Sequence, residues 1–277
     1  MPDPVVLISG CSSGIGRALA DTFKAAGYSV WAGARKEADL AQLSAAGFTA
    51  VALDVNDANS IELASGRLER EAGRLDVLIN NAGYGGIAPL LDGGVEAMHR
   101  QFETNVYSLV GVTRACFGLL RASKGLVVNI GSVSGVLTTP FAGAYCASKA
   151  AAHALTDALR MELAPFGIGV MEVQPGAIES NCGANASQHA EQLISQSSAW
   201  WPLRDGIRAR ANASQDKPTP ASEFAAGVLR AVGRSPRPRL LRLGNGSHSL
   251  PLMARLLPQG LLEKTLMQRF GLNRRLD

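Results

Sequence analysis

The stretch VVLISGCSSGIGRALADTF, residues 5–23, decides the fold of this chain. Its pattern predicts a short buried strand, a turn with three glycines, and a helix that ends near Gly27. Strand, glycine turn and helix in this order are what a dinucleotide-binding βαβ unit requires. Glycines let backbone N–H groups approach a pyrophosphate, whose negative charge the helix N-terminus favours. The turn supplies the first candidate cofactor residues, which are Gly10, Ser12, Ser13, Gly14, Ile15 and Gly16.

Further apolar runs alternate with helical patterns along the rest of the chain. Strands are predicted at residues 28–34, 48–53, 75–79, 126–130, 168–173 and 238–243. This alternation predicts a doubly wound α/β fold, with a seven-stranded parallel sheet and helices on both faces. Ligands in such sheets bind across the carboxyl ends of the strands. A length of 277 residues, with 47% hydrophobic and 18% charged residues, suits one globular domain of this kind.

The end of the second strand bears on the choice of cofactor, because it should lie against the adenine ribose. Arg35 follows this strand directly, and a guanidinium suits the extra phosphate of NADP. Glu37 also falls near the position where a carboxylate would favour NAD. It is expected instead to begin the next helix, since an acid is favoured in the first helical turn. The sequence therefore favours NADP(H).

Polar residues and glycines also follow the third, fourth and sixth strands. An aspartate at the end of the third strand could accept a hydrogen bond from an adenine amino group, although acids at strand ends are also ordinary turn residues. Amides and glycines at strand ends suit a ligand crevice, and they also simply make turns. These strand ends add the candidate cofactor residues Asp54, Val55, Asn81, Ala82, Gly83, Pro175, Gly176, Ile178 and Ser180.

A second stretch, SVSGVLTTPFAGAYCASK at residues 132–149, carries the candidate chemistry. Ser132 follows the fifth strand, while Tyr145 and Lys149 lie one turn apart on one face of a predicted helix over residues 141–166. A phenol has a pKa of roughly 10, and a neighbouring ammonium favours its anion, so Tyr145 could transfer a proton at neutral pH. Ser132 could hydrogen-bond a substrate oxygen. Taken alone, the pair could equally be a solvated helix face with an extended lysine.

The motifs, taken in order over residues 5–180, resemble the short-chain dehydrogenase/reductase superfamily. The family's glycine motif corresponds to residues 9–16, with Ser9 where threonine is usual, and its Asn-Asn-Ala-Gly motif lies at residues 80–83. Its Pro-Gly motif corresponds to residues 175–176, with Ser180 in place of a threonine. By this resemblance, the four catalytic positions are Asn105, Ser132, Tyr145 and Lys149.

The resemblance implies an oxidoreductase that interconverts a ketone or aldehyde and an alcohol by hydride transfer with NADP(H). Tyr145 would be the acid/base, Ser132 would polarise the substrate oxygen, Lys149 would also bind the nicotinamide ribose, and Asn105 would hold a water in a proton relay. We expect a carbonyl reductase for an apolar, bulky, lipid- or steroid-like small molecule. The alternative is a catalytically silent NADP-binding regulatory protein of the same fold. That alternative predicts a damaged catalytic set, whereas all four positions are intact.

The resemblance also suggests how the chain is divided. One domain is expected over residues 1–246, in which residues 181–220 cover the substrate and Trp200-Trp201 forms an apolar lid or packs on the surface. Residues 247–277 are expected to form a basic helical extension packed on the same domain, with two short helices separated at Pro258. Its leucines are expected to pack on the core or on a second subunit. Peripheral contact with an anionic membrane is the less favoured alternative.

Charge and cysteine content argue against a nucleic-acid-binding protein and against a metal-binding protein. Residues 210–277 carry a net charge of +8 against −4 for residues 1–209, but they lack a nucleic-acid recognition motif, so no nucleic-acid partner is expected. The cysteines have neither metal-ligand nor disulfide-framework spacing, so no metal is expected. The chain start shows no leader pattern and predicts a cytoplasmic protein. The family habit of pairing the helices at residues 103–122 and 142–166 predicts a homodimer or homotetramer. The cysteines are Cys11, Cys116, Cys146 and Cys182.

Overall fold

One parallel β-sheet forms the centre of the protein, whose computed structural model describes residues 3–180 and 196–276. The strand order is β3-β2-β1-β4-β5-β6-β7, and every pair is parallel. The order changes direction between β1 and β4, so a ligand crevice opens at the carboxyl ends of these two strands. The predicted seven-stranded sheet is confirmed. Its strands are β1 Val5–Ile8, β2 Ser29–Ala34, β3 Thr49–Ala52, β4 Val77–Asn80, β5 Leu126–Ile130, β6 Gly169–Pro175 and β7 Leu240–Leu243.

Helices cover both faces of the sheet, as the alternating pattern predicted. A π-helix, Glu103–Tyr107, which the sequence did not predict, interrupts the helical run between β4 and β5. The α-helices are α1 Gly14–Ala25, α2 Glu37–Ala45, α3 Ala58–Glu71, α4 Leu90–Phe102, α5 Ser108–Ala115, α6 Phe117–Ser123, α7 Gly143–Leu163, α8 Arg204–Asn212, α9 Ala221–Val232, α10 Ser249–Leu256 and α11 Gln259–Arg269.

Alternation along the strands divides the interior into two apolar layers. In β1, Val6 and Ile8 face the layer that holds α1 and α9, where Phe23 and Phe224 are fully buried. Val5 and Leu7 face the opposite layer, which holds α3 and α5. Successive side chains of a strand point to opposite faces, and each large apolar side chain stabilises the fold by about 1.5–3 kcal/mol when it is buried. The two layers together fix the strand ends on which the site is built.

A third, smaller apolar cluster lies where the segment after β6 meets the start of α7. Its buried members lie between β4 and α4, at and just before the start of α7, at and just before α8, and directly after α11, so the C-terminal extension packs on the main domain at this point. Trp200 and Trp201 are half-buried and pack against it. Residues 181–195, which include Cys182 and the first part of the expected substrate-covering segment, lie outside the described residues. The cluster consists of Ile87, Phe141, Ala142, Cys146, Leu203, Ile207, Ala211 and Phe270.

The leucines of the extension are less buried than expected. Leu262 and Leu266 are half-buried, but Leu252, Leu256 and Leu261 are exposed, at 55%, 67% and 52%. These three leucines do not pack on the core of their own chain, so that expectation is wrong for them. Proline explains the break between the two helices, because Pro258 precedes α11 and cannot continue α10. Across the two described ranges, no helix is both long and apolar enough to cross a membrane.

Candidate active site

The turn between β1 and α1 forms the first wall of the site. Gly10 and Gly14 adopt positive φ angles of 74° and 56°, which a residue with a side chain reaches only under strain. Gly16 lies against the turn so closely that a Cβ there would sit 2.0 Å from the carbonyl oxygen of Gly10. Within the described ranges, the side chain of Ser13 makes no capping bond to α1. The backbone N–H groups at the start of α1 therefore face the turn, as pyrophosphate binding requires.

Hydrogen bonds tie this turn to the Asn-Asn-Ala-Gly segment after β4. The Ser9 hydroxyl accepts bonds from the backbone N–H groups of Asn81 and Ala82, each at 3.0 Å. The Asn81 amide donates to the carbonyl oxygens of Ser9 and Gly10, at 2.9 and 3.1 Å. Two strand ends that are 70 residues apart in sequence are thus held in one crevice. Ser9 and Asn81 were predicted from the motif, and the structure shows that their side chains organise the turn.

The remaining cofactor candidates occupy the neighbouring strand ends. Arg35 is exposed directly after β2, and Glu37 is the first residue of α2, as expected. Asp54 makes a local turn, because one of its carboxylate oxygens accepts from the N–H of Asn56 at 3.0 Å. This bond supports the ordinary turn interpretation of Asp54. The assignment of Arg35, Asp54 and the buried Val55 to cofactor binding remains a prediction.

The segment after β6 approaches the glycine turn from the other side. Ser180 lies beside Gly14, since a Cβ on that glycine would be 3.2 Å from the Cβ of Ser180. Gly176 is required by packing, because a Cβ there would lie 2.1 Å from the carbonyl oxygen of Asn245. Pro175 ends β6 and Ile178 is buried. The predicted Pro-Gly segment therefore closes the same crevice.

Tyr145 and Lys149 lie on successive turns of α7, as their spacing predicted. The Lys149 side chain is buried, and its ammonium donates to the carbonyl oxygen of Ile130 at 2.8 Å, at the end of β5. A buried ammonium needs hydrogen-bond partners, so this bond fixes its position. A solvated lysine on an amphipathic face would instead extend into water. The interpretation of the Tyr145–Lys149 pair as a solvated helix face is therefore wrong.

Asn105 lies inside the π-helix and is almost fully buried. Its amide pairs with the backbone of Tyr84 in both directions, accepting from N–H at 3.1 Å and donating to the carbonyl at 3.0 Å. It also donates to the hydroxyl of Ser148, which lies on α7 beside Lys149. A Cβ on Gly83 would be 3.0 Å from the Asn105 oxygen and 3.6 Å from the Lys149 nitrogen. The π-helix thus brings Asn105 beside Gly83 and Lys149, which explains an amide within a helical run.

Ser132 begins the 3₁₀ turn Val133–Gly135 that follows β5. Its hydroxyl accepts from the N–H of Ser134 at 3.1 Å, and the residue is buried. Because Lys149 bonds to Ile130, two residues before Ser132, α7 and the end of β5 are held in register. The four predicted catalytic residues therefore come from adjoining elements on one side of the crevice.

The side of the site near the start of α7 is apolar. Phe141, Ala142 and Cys146 belong to the third cluster and flank Tyr145 along the chain. Phe141 adopts a φ of 62°, which is rare for a bulky residue and is held here by its buried ring. Trp200 and Trp201 pack on the same cluster. An apolar substrate would find its complement on this side.

A chain of buried amides behind the site was not predicted. The Asn80 amide donates to Asn129 at 2.9 Å and to Thr113 at 3.1 Å, and Asn129 donates to Thr156 at 3.0 Å. These side chains link α5, β4, β5 and α7 through the sheet. The signal in the sequence was Asn129, a polar residue within the apolar run at residues 126–130. A buried amide needs hydrogen-bond partners, so such a network could have been expected there.

The side chains of the three cysteines within the described ranges, Cys11, Cys116 and Cys146, lie outside the hydrogen bonds that connect the strand ends of the site. Cys11 and Cys116 are buried, and burial raises the pKa of each thiol to about 12. Cys146 is also buried and unoxidised. Among the residues that the structure describes, no group of three or more His, Cys, Asp or Glu side chains could hold a metal ion. The donors in the crevice are instead backbone N–H groups, amides and one ammonium, which fit a dinucleotide.

Comparison with known proteins agrees with this geometry. A family model for short chain dehydrogenases matches residues 4–191. A short-chain dehydrogenase/reductase of Pestalotiopsis microspora is 32% identical over 271 residues, covering 97% of this chain and 94% of that protein. The NADPH-dependent 1-acyldihydroxyacetone phosphate reductase of Schizosaccharomyces pombe is 35% identical over 233 residues, covering 83% and 78%.

A solved structure shows the same architecture over nearly the whole chain. The short-chain dehydrogenase from Streptomyces avermitilis superposes with a TM-score of 0.80 at 29% identity, covering 99% of this chain and 98% of that one. The matched residues 4–191 include β1, β4 and the turns that follow these two strands. The chain therefore belongs to the short-chain dehydrogenase/reductase family, oxidoreductases that bind a nicotinamide cofactor.

Proposed function

We propose that the protein is an NADP(H)-dependent oxidoreductase that interconverts an apolar, bulky ketone or aldehyde and the matching alcohol. The observation that carries this proposal is the buried ammonium of Lys149, held one turn from Tyr145. A positive charge at this distance favours the phenolate, which is the form that accepts a proton from an alcohol. The same residue, protonated, returns the proton to a carbonyl oxygen.

The other residues position and support this proton transfer. Ser132 donates a hydrogen bond to the substrate oxygen, and Asn105 holds the water through which Tyr145 exchanges its proton with solvent. The bound nicotinamide supplies or accepts the hydride. Gly10, Gly14, Gly16 and the start of α1 bind the pyrophosphate. Arg35 binds the extra phosphate of NADP.

The substrate class follows from the apolar cluster beside Tyr145. The half-buried Trp200 and Trp201 offer aromatic surface beside this cluster, and the Schizosaccharomyces pombe relative is named for 1-acyldihydroxyacetone phosphate and for NADPH. Burial of apolar substrate area favours binding by about 25 cal/mol per Å². We expect long-chain or polycyclic ketones to be preferred over small aldehydes.

The test is a panel of carbonyl compounds, from small aldehydes to steroids and long-chain ketones, followed by NADPH absorbance. With the preferred substrate, Tyr145→Phe should lower kcat by at least about 10³-fold, because it removes the transferable proton. NADPH affinity, measured by fluorescence titration, should change little. Tyr28→Phe removes the same hydroxyl just before β2, away from the carboxyl ends of the strands; it is the matched control and should keep most activity. Turnover of Tyr145→Phe within tenfold of the parent would contradict the assignment.

A further inference from the structure

A buried polar cluster lies directly behind Ser132 and has no part in the chemistry described so far. His153 is on α7, one turn beyond Lys149, and its side chain is 13% exposed. Its Nε2 atom lies 3.1 Å from Oε1 of Glu172. Gln174 donates to the same Glu172 oxygen at 2.6 Å, and Arg242 donates to Gln174 at 2.9 Å. Side chains from α7, β6 and β7 thus meet under the turn that follows β5.

The imidazole fills the space left by two glycines on either side of Ser132. A Cβ on Gly131 would lie 2.6 Å from Nε2 of His153, and a Cβ on Gly135 would lie 2.4 Å from Cε1. The backbone N–H of Ser132 points at Nε2, with a nitrogen–nitrogen distance of 3.4 Å. The ring therefore lies against the serine turn at Gly131, Ser132 and Gly135. Both glycines are needed to admit it.

The surroundings of His153 also determine the protonation state of its imidazole. Burial, followed by the positive charge of Lys149, lowers the pKa of His153 to about 4, and burial raises the pKa of Glu172. The imidazole is consequently neutral near pH 7, so only one ring nitrogen carries a proton, and Nε2 either donates to Glu172 or accepts from the N–H of Ser132. Glu172 and Gln174 hold its orientation from the β6 side.

We propose that His153 is a positioning residue for Ser132, and that Glu172 and Gln174 hold its imidazole in place. This inference rests on the proposed role of Ser132 in orienting the substrate oxygen. His153 does not touch substrate or cofactor; it fixes the backbone turn from which the Ser132 hydroxyl projects. A catalytic hydroxyl displaced by about 1 Å can cost up to about 10²-fold in rate, so the support of this turn matters for kcat.

The test is a double-mutant cycle between His153→Ala and Ser132→Ala. His153→Ala alone should lower kcat by about 10- to 100-fold, with unchanged NADPH affinity, since the glycine turn and α1 are untouched. In the Ser132→Ala background, the same change should lower kcat by less than about threefold, because the hydroxyl that His153 positions is already absent. Equal losses in both backgrounds would show a general structural role and overturn the proposal.

Two further variants serve as a control and as a conservative replacement in this double-mutant cycle. Thr156→Val removes another buried polar group of α7, one that bonds Asn129 rather than the serine turn. Its effect should be the same with and without Ser132. His153→Asn keeps a polar side chain in the cavity and should recover part of the lost kcat; it also serves in the cycle if His153→Ala does not fold.

The cycle separates failure of this inference from failure of the proposed function. If Ser132→Ala alone leaves kcat unchanged, the proposed role of Ser132 is wrong, and the inference falls with it. If Ser132→Ala lowers kcat and His153→Ala acts equally in both backgrounds, only the role of His153 is wrong.

Discussion

Arg35 is the residue on which the choice between NADP(H) and NAD(H) depends. It is exposed at the end of β2, while Glu37 begins α2, where the helix N-terminus favours an acid. Arg35→Asp should raise the KM for NADPH by at least about tenfold, since attraction to the extra phosphate becomes repulsion, and should leave the KM for NADH within about threefold. Steady-state kinetics with both cofactors measures this.

Lys36→Asp is the matched control for Arg35, because it makes the same charge change one residue further along the chain. It should affect NADPH less than Arg35→Asp does. Equal affinities of the parent enzyme for NADH and NADPH would contradict the prediction and would make Glu37 the deciding residue.

His153 should also leave a signature in the pH dependence of stability. Its pKa is about 4 in the folded protein against about 6.5 in the unfolded chain. The unfolded chain therefore binds more protons below about pH 6.5, and stability is lost as the pH falls toward 4. For His153 alone, linkage gives a loss of up to about 2 kcal/mol between about pH 7 and pH 5. Lys149, Arg242 and Asp157 also act on this ring.

Glu172 opposes this trend, because its raised pKa lets the folded protein take up a proton over the same range. The effect of His153 is therefore isolated by difference. Denaturant unfolding of the parent and of His153→Gln should show that the variant loses less stability than the parent when the pH is lowered from about 7 to 5. A parallel loss in both proteins would exclude His153 as the source.

Sequence could locate most site residues but not this cluster. Ser132, Tyr145 and Lys149 are spaced so that helix geometry and a strand end bring them together. His153 and Glu172 meet because β6 lies beside β5 in the sheet and α7 packs on both, which no local pattern encodes. Glu172 and Gln174 are buried polar residues in β6, so polar partners were needed, but the identity of these partners depended on the tertiary fold.

At the scale of elements, strands and long helices followed their patterns, and the departures occurred where function or packing intervened. The strand over residues 126–130 has the predicted bounds. The π-helix at Glu103–Tyr107 was not predicted, because one extra residue in a helical turn leaves no mark in hydrophobic periodicity. It was signalled only by Asn105, a residue of modest helix propensity in an apolar run.

The packing of α11 on the main domain can be tested by a substitution at Phe270. This residue ends the helix, is buried in the third cluster, and its backbone lies against Gly206 of α8. Phe270→Ala should destabilise the protein by about 3–5 kcal/mol if the cavity does not collapse. Because Phe141 and Cys146 share this cluster, the variant should also raise KM for bulky substrates more than for small ones. Thermal unfolding and the substrate panel measure both effects.

Leu261→Ala, on the exposed side of the same helix, is the control and should change stability by less than about 0.5 kcal/mol. If Phe270→Ala keeps the parent's substrate profile, the extension has no part in substrate handling. If Leu261→Ala is as destabilising as Phe270→Ala, the exposed leucines are covered in solution, by a second subunit or another surface.

At the scale of the whole molecule, the proposed domain division makes residues 247–277 a part of the main domain rather than a separate unit. Phe270, Leu266 and Leu272 join the third cluster, so one apolar contact connects the extension to the region beside Tyr145. The exposed leucines of α10 and α11 could not be anticipated, because a helical apolar pattern states which residues share a face and not whether anything covers it.

Self-association is the last expected property of the whole molecule. On α7, Ala147, Ala150 and Ala154 form an exposed stripe of small residues, and Tyr107 at the end of the π-helix and Val110 on α5 are also exposed. Small residues permit close helix approach, and we propose that these two helices pair with those of a second copy to form a homodimer or homotetramer. Sedimentation at micromolar concentration should then give a mass at least twice the 29.0 kDa of one chain.

Ala150→Arg should shift this equilibrium toward the monomer, because a long charged side chain would be buried in the helix pairing. Ala38→Arg, on the exposed side of α2 and outside the proposed interface, should leave the mass unchanged. Circular dichroism of both variants checks that α7 and α2 remain folded. A parent protein that sediments at 29.0 kDa would contradict the oligomer, and an oligomer unaffected by Ala150→Arg would place the interface on another surface, such as the exposed leucines of the extension.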